Sequence, residues 1–192
     1  MKTLLKKLFL LLLLISAQAS SAQISTKEVA LFFEELDKST DLRINQIDKK
    51  VLKWEHEDIY FKDDGVPGIV IPGLMSPDSL KKYLSEEDFI FIDLQYKLFH
   101  DTSWRSQNFK NFKLLDESDL DKIYKNSLKR KSRKYQYSYS FSLPLFSEDR
   151  KTVIFKQVFY CGFLCSTECI YLYRKSENNI WIEVGFWNCS AS

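Results

Sequence analysis

Histidine and glycine are scarce in this chain, with two and five residues among 192, and no cysteine occurs before Cys161. Each scarcity removes a class of site. Neither the G-x-S-x-G nucleophile elbow nor the H-E-x-x-H zinc motif is present. His56 lies within Trp54-Glu55-His56-Glu57-Asp58, and His100 precedes Asp101. A histidine beside a carboxylate is half of a general-base pair, but adjacency in sequence does not orient the ring, so both read as surface residues. The enzyme reading that survives is a small hydrolase using His100 and a carboxylate, and the chain leans away from catalysis.

Charge of one sign is also lacking. The chain has 28 basic and 26 acidic residues, and residues 1–22 hold three of the lysines and no acid. Without that segment 25 basic residues face 26 acids, a net charge of −1. A near-neutral balance makes no broad field for phosphate backbones, so nucleic acid is not an expected partner. No apolar run reaches the roughly 18 residues needed to span a bilayer.

What is present begins at the N-terminus, where Lys2, Lys6 and Lys7 lead into the apolar run Leu8 to Ile15. The run is too short for a bilayer core of about 30 Å, and small residues suited to signal peptidase follow, as Ala17-Gln18-Ala19 or Ser20-Ser21-Ala22. Residues 1–22 therefore read as a secretory signal peptide. The mature protein is expected in the periplasm or outside the cell, with no stable membrane insertion once the leader is removed. The remaining residues, 23–192, suit one domain.

Ser25-Thr26-Lys27-Glu28 is a capping box, and Val29, Phe32, Phe33 and Leu36 follow at helical spacing. Ile44, Ile47, Val51 and Trp54 also fit a helix face, so a helix is expected to about Trp54. Asp63-Asp64-Gly65, Val66-Pro67-Gly68 and Pro72-Gly73 are turn chemistry around the short run Ile69-Val70-Ile71. Ser76-Pro77 starts one short helix, and Ser85-Glu86-Glu87-Asp88 starts another carrying Phe89, Ile92, Tyr96 and Phe99. A last helix is expected over Leu114–Asn126, capped by Ser118. After Lys134 β-branched and aromatic residues alternate, with turns at 147–149 and 176–179, predicting strands near 136–146, 151–160, 169–175 and 180–187. The fold class is thus α+β: N-terminal helices, about 25–127, packed on a C-terminal antiparallel β-meander of about four strands, about 135–189.

Four cysteines, Cys161, Cys165, Cys169 and Cys189, fall in the last 32 residues, an even count that suits disulfides in an exported chain. Three pairings are possible. Cys169 shares parity with Tyr171 and Tyr173, and Cys189 with Trp181 and Trp187. A tight turn at 177–179 brings the last two strands together, which favours Cys169–Cys189 and leaves Cys161–Cys165. In the loop-entropy model the two closures are worth about 3 and about 2 kcal/mol. Zinc is the rival reading, but C-x₃-C-x₃-C lacks the usual C-x₂-C knuckles, and a redox dithiol is normally one residue tighter. No metal and no cofactor is expected. Asp116, Glu117, Asp119 and Asp121 lack the glycine and closing acid of a calcium loop and read as helix-start acids.

Two surfaces stand out as candidates for binding. Lys129-Arg130-Lys131-Ser132-Arg133-Lys134 reads first as a solvated linker, with an acidic partner or glycan as the functional alternative. Tyr135, Tyr137 and Tyr139 alternate onto one face, as do Tyr171, Tyr173, Trp181 and Trp187. Such a face is either a binding platform for sugars or peptides or the bed on which the helices pack, and Val29, Phe32 and Phe33 need a bed.

The order Ser142-Leu143-Pro144-Leu145-Phe146-Ser147-Glu148-Asp149, a strand, Cys161-Gly162 and Cys165, a second strand, Lys175 and Trp181 resembles the C-terminal part of uncharacterised exported bacterial proteins of the Bacteroidota type. Their pattern runs S-x-P-x-F-S-x-D, C-G-x-x-C-G and a hairpin with K and W, over roughly residues 140–190. Ser166 stands where the pattern has a second glycine, and Cys169 and Cys189 are extra. The resemblance implies location and architecture and no activity. The functional expectation is a non-enzymatic binding or interaction module of the cell envelope or periplasm, its partner an unknown protein or envelope component; an envelope inhibitor or immunity-type protein is the alternative. The intact mass of the exported protein, read with and without reductant, should show a lost leader and four alkylations after reduction only; thiols that alkylate without reductant would remove the disulfide reading.

Overall fold

The computed structural model describes residues 22–39, 46–55, 58, 74–98, 103–105, 109, 112–128, 137–162 and 165–191. The expected leader through residue 21, the turn-rich segment 63–73, His56, His100, Tyr135 and the basic run at 129–134 lie outside them. Four helices and seven strands are described: α1 (Thr26–Ser39), β1 (Gln46–Asp48), α2 (Pro77–Leu80), α3 (Glu86–Leu98), β2 (Lys113–Leu115), α4 (Glu117–Ser127), β3 (Ser138–Phe141), β4 (Leu145–Phe146), β5 (Thr152–Gly162), β6 (Cys165–Lys175) and β7 (Trp181–Ala191). The protein is α+β, and its sheet has more strands than the four the sequence suggests. The strand order is β2-β1-β3-β5-β6-β7, with β4 also paired to β5. β1 runs parallel to both β2 and β3, and the remaining pairs are antiparallel, so the sheet is mixed.

Local capping chemistry explains where the helices start. Ser25 Oγ accepts from Glu28 N–H while Ser25 N–H donates to the Glu28 carboxylate, the reciprocal pair of a capping box. Ser85 and Asp88 repeat it at α3, and Ser76 Oγ accepts from Ser79 N–H at α2. At α4 the cap is Asp116, whose carboxylate accepts from Asp119 N–H at 2.9 Å; Ser118, the expected cap, instead donates its hydroxyl to Asp116. The residues just before it, Lys113–Leu115, form a strand rather than the first turn of the helix.

The expected helix to about Trp54 is also extended chain over its described part, 46–54. Gln46–Asp48 is hydrogen-bonded between β2 and β3, and Leu52 pairs with Ser142 beyond the end of β3. Ile47, Val51 and Trp54 are all buried, and their spacing imitates a helix face because the Asp48 carboxylate takes the Lys50 N–H in a local turn that bends the strand. The expected strand 136–146 is likewise broken, at Ser142-Leu143-Pro144, into β3 and β4. Trp54 spans that corner by donating Nε1–H to Leu143 O at 2.8 Å.

The core lies between α1 and the sheet. Phe32 packs edge-on against Phe146, Phe155 and Trp181, and Phe33 meets Trp104, Phe109, Phe141 and Phe155, with ring centroids 4.9 to 6.1 Å apart. Both phenylalanines are essentially solvent-free.

The short strand β4 has β5 on one side and α3 on the other. Gln95 of α3 is 2% exposed, donates Nε2–H to Phe146 O at 2.6 Å, and accepts from Phe146 N–H at 2.9 Å. Its side-chain amide thereby takes the place of a neighbouring strand. Gln95→Ala leaves both Phe146 groups buried without partners, at a cost of 1–3 kcal/mol for each such group. Urea unfolding should show the midpoint fall by about 3 kcal/mol of stability at unchanged slope, and a midpoint equal to wild type would refute this account.

Candidate functional site

Pairing register sorts the sheet residues onto two faces. Beneath α1 lie Tyr139 and Phe141 of β3, Phe155, Gln157 and Phe159 of β5, Tyr171 and Tyr173 of β6, and Trp181, Glu183 and Phe186 of β7, as their Cα pairings and ring contacts require. The opposite face carries Ile154, Lys156, Ile170, Leu172 and Trp187. Of the four β6–β7 aromatics expected on one surface, Trp187 therefore lies on the other side of the sheet from the remaining three.

The reason is a pair of β-bulges. Val184 is extra on β7 between the pairs Tyr173↔Glu183 and Leu172↔Gly185, which reverses the parity of every later residue. A second irregularity, between Ile170↔Trp187 and Glu168↔Ser190, reverses it again, and Asn188 there has φ 48°. Cys189 so returns to the face of Cys169, and the structure bonds Cys169 to Cys189 and Cys161 to Cys165.

Burial then decides which expected residues form a surface. Tyr173, Trp181 and Trp187 are 1, 2 and 1% exposed, so they are core and cannot present a platform. Trp181 is closed in by Phe32 and by Lys175, whose Nζ lies 4.9 Å from the ring centroid and 3.3 Å from Glu35 of α1. Trp187 donates Nε1–H to Asp58 O at 3.1 Å. Tyr171 alone of the four is half-buried.

α1 covers one end of its face and leaves the other end partly open. At that end Tyr137, Phe159, Tyr171 and Phe186 are half-buried, in two groups of rings: Tyr137 and Phe159 meet Tyr139, and Tyr171 meets Phe186 and Tyr173, with centroids 5.0 to 6.4 Å apart within the groups. Gln157 lies in the floor, paired across the strands with Phe141 and Cys169. It is 5% exposed, and its Oε1 has no hydrogen-bond partner among the described residues. Glu183 stands exposed at the rim and accepts from Tyr173 Oη–H at 3.2 Å.

The phenols report the same crowding. Burial pushes the Tyr139 phenol up to about 12, with Tyr137 and Tyr171 adding to it. Burial raises Tyr173 further, helped by the charge of Glu183 and the hydrogen bond to it, and raises Tyr171 with the same carboxylate contributing.

The opposite face holds a buried ion group. Lys156 Nζ is 2.5 Å from Asp58 Oδ2 and 3.7 Å from Glu168 Oε1, and Asp58 also accepts from Glu55 N–H. An unpaired lysine there would cost several kcal/mol, so the carboxylates are what allow it inside. Together with the Trp187 hydrogen bond they fasten Asp58 to the sheet, a structural role.

Among the described residues no three His, Cys, Asp or Glu side chains come together in a metal set. Asp116 caps α4, Asp119 pairs with Lys113 and Lys122, and Asp121 with Lys125, which accounts for the acidic run. Gln157, Phe159, Glu183 and Phe186 were missed as site residues in the sequence, although Gln157 is a visible polar interruption of the apolar strand Val153 to Phe159. Comparison with known families, curated proteins and solved structures finds no match.

A phenol raised in the fold favours the neutral form there, so its contribution to stability is complete below the ordinary value of 10 and is lost as pH rises toward and through the folded values. Absorbance at 295 nm should show some of the ten tyrosines ionising well after the rest, with stability falling between pH 10 and 12 and falling less in Tyr139→Phe. All ten titrating together near pH 10 in folded protein would contradict the buried cluster.

Proposed function

We propose that this protein is an exported, non-enzymatic binding module of the cell envelope or periplasm that takes its ligand on the open end of the tyrosine-rich face. The observation that carries the reading is a pair of half-buried ring groups, Tyr137 with Phe159 and Tyr171 with Phe186, with the Gln157 amide oxygen between them and without a partner among the described residues. Folded proteins rarely leave a buried acceptor unsatisfied, and Gln157 Oε1 is the one acceptor among the four buried polar atoms without a partner in the described residues, the others being N–H donors. Partly exposed aromatic rings supply contact area at low entropic cost, which is how rigid binding surfaces are built. The paired cysteines suit an oxidising compartment, and among the described residues no helix is long and apolar enough to cross a membrane. The resemblance of residues 140–190 to exported Bacteroidota-type proteins supports the same compartment.

Saturation-transfer NMR against a panel of envelope glycans and peptides tests this. A ligand is expected whose Kd rises at least tenfold in Tyr171→Ala while the melting curve stays near that of wild type, because Tyr171 is only half-buried. Undiminished binding by Tyr171→Ala, or a panel without any saturable ligand, would overturn the proposal.

A further inference from the structure

The open end of the tyrosine face is polar without being charged. Apart from the rings themselves, the groups that register and ring contacts place there are the Gln157 amide, the Thr167 hydroxyl, the Cys169–Cys189 bond and the phenols of Tyr137, Tyr139 and Tyr171. Lys156 and Glu168, next in sequence to Gln157 and Cys169, point to the other face, and Glu183 lies further along the sheet, opposite Tyr173. Burial already resists charge at this end, since it raises the phenols of Tyr139 and Tyr171. An anionic ligand would meet the same resistance, and a cation on Gln157 would have no carboxylate on the same stretch of this face. The ligand class that suits the chemistry is neutral.

Gln157 decides among neutral ligands. A purely apolar molecule would leave its buried Oε1 as it stands, without a partner among the described residues. A peptide laid across a sheet face finds no line of backbone partners, because the N–H and C=O groups of paired strands are used within the sheet. A hydroxyl both donates and accepts, so it satisfies the amide in either orientation and pairs with phenols, which also do both. Hydroxyls carried on rings whose C–H faces lie well against aromatic side chains describe a sugar. Size follows from the register: Phe159 pairs with Thr167 and Tyr171 lies four residues along β6, so the two ring groups are roughly 14 Å apart along the sheet. One sugar ring does not bridge that distance, and a short oligosaccharide does.

Resting on the binding reading above, we propose that this end of the face binds an uncharged oligosaccharide, its sugar rings against the two aromatic groups and one hydroxyl on the Gln157 amide. Oε1 is closed off from solvent, so binding requires a neighbouring ring to turn aside, and Tyr171, half-buried and diagonal to Gln157 across the β5–β6 pair, is placed to do so. The probes are cellotriose, maltotriose and chitotriose, with glucose, trigalacturonate and acetyl-Leu-Gly-Leu-amide as comparisons, titrated into the disulfide-bonded protein by isothermal calorimetry. One of the neutral trisaccharides should bind at least tenfold tighter than all three comparison molecules. Gln157→Met keeps the shape of the side chain and removes the amide, so it should weaken that trisaccharide at least tenfold. The same variant should raise the melting temperature by about 2 °C or more, because a buried acceptor without a partner is exchanged for an apolar group of similar volume. A side chain kept for the fold would give the opposite shift.

No saturable binding of the three neutral trisaccharides, or trigalacturonate bound as tightly, overturns the neutral-sugar assignment. The peptide binding more tightly than all three overturns the glycan source, and glucose binding as tightly as the trisaccharide overturns the span across both ring groups. In each of these cases a panel ligand lost in Tyr171→Ala leaves the binding-module reading standing. Gln157→Met melting below wild type would give the amide a structural partner and remove both.

Discussion

Burial of β5 on both faces is the constraint on which the rest of this structure depends. Every residue from Thr152 to Gln157 is buried, with Phe155 under the two phenylalanines of α1 and Ile154 against the opposite layer. A central strand of this kind normally reads as continuous apolar sequence. Here it includes Lys156 and Gln157, one on each face. Lys156 is answered by Asp58 and Glu168, and in being answered it anchors a connecting segment. Gln157 Oε1 is not answered by any group among the described residues. Neighbouring polar residues on one strand thus meet opposite fates, and the functional reading rests on the second.

Short-range chemistry was legible in the sequence. The capping boxes at Ser25–Glu28 and Ser85–Asp88 set two helix starts where the pattern puts them, because both partners lie within one turn of chain. The turns at 147–150 and 176–179 were legible for the same reason, with Ser147 Oγ accepting from Thr152 N–H across the first of them. Asp149 there is held below the usual carboxylate range: burial acts to raise it, and hydrogen bonds from Ser147 and Lys151 outweigh that.

Long-range pairing was not legible. Gln46–Asp48 becomes a strand because β2 and β3, far away in sequence, flank it, and nothing local opposes the helical spacing of Ile47, Val51 and Trp54. The candidate site suffered the same way. Reading β7 by strict alternation puts Trp181 and Trp187 on one surface, and the extra residue at Val184 separates them. The cysteine pairing favoured by alternation coincides with the bonds in the structure, yet it depends on two parity reversals that cancel. Had only one bulge been present, Cys189 would face away from Cys169.

The Cys169–Cys189 bond has a consequence for how the chain gets to this fold. It joins the far end of the β6–β7 hairpin, so an oxidised but unfolded chain already holds those two strands in a small covalent ring. The entropy of closing that loop is spent before folding begins. What remains slow is the parallel pairing of β1 with β2 and β3, which must gather segments from both halves of the chain. The C-terminal hairpin is then the template on which β5, and after it the N-terminal half, can assemble.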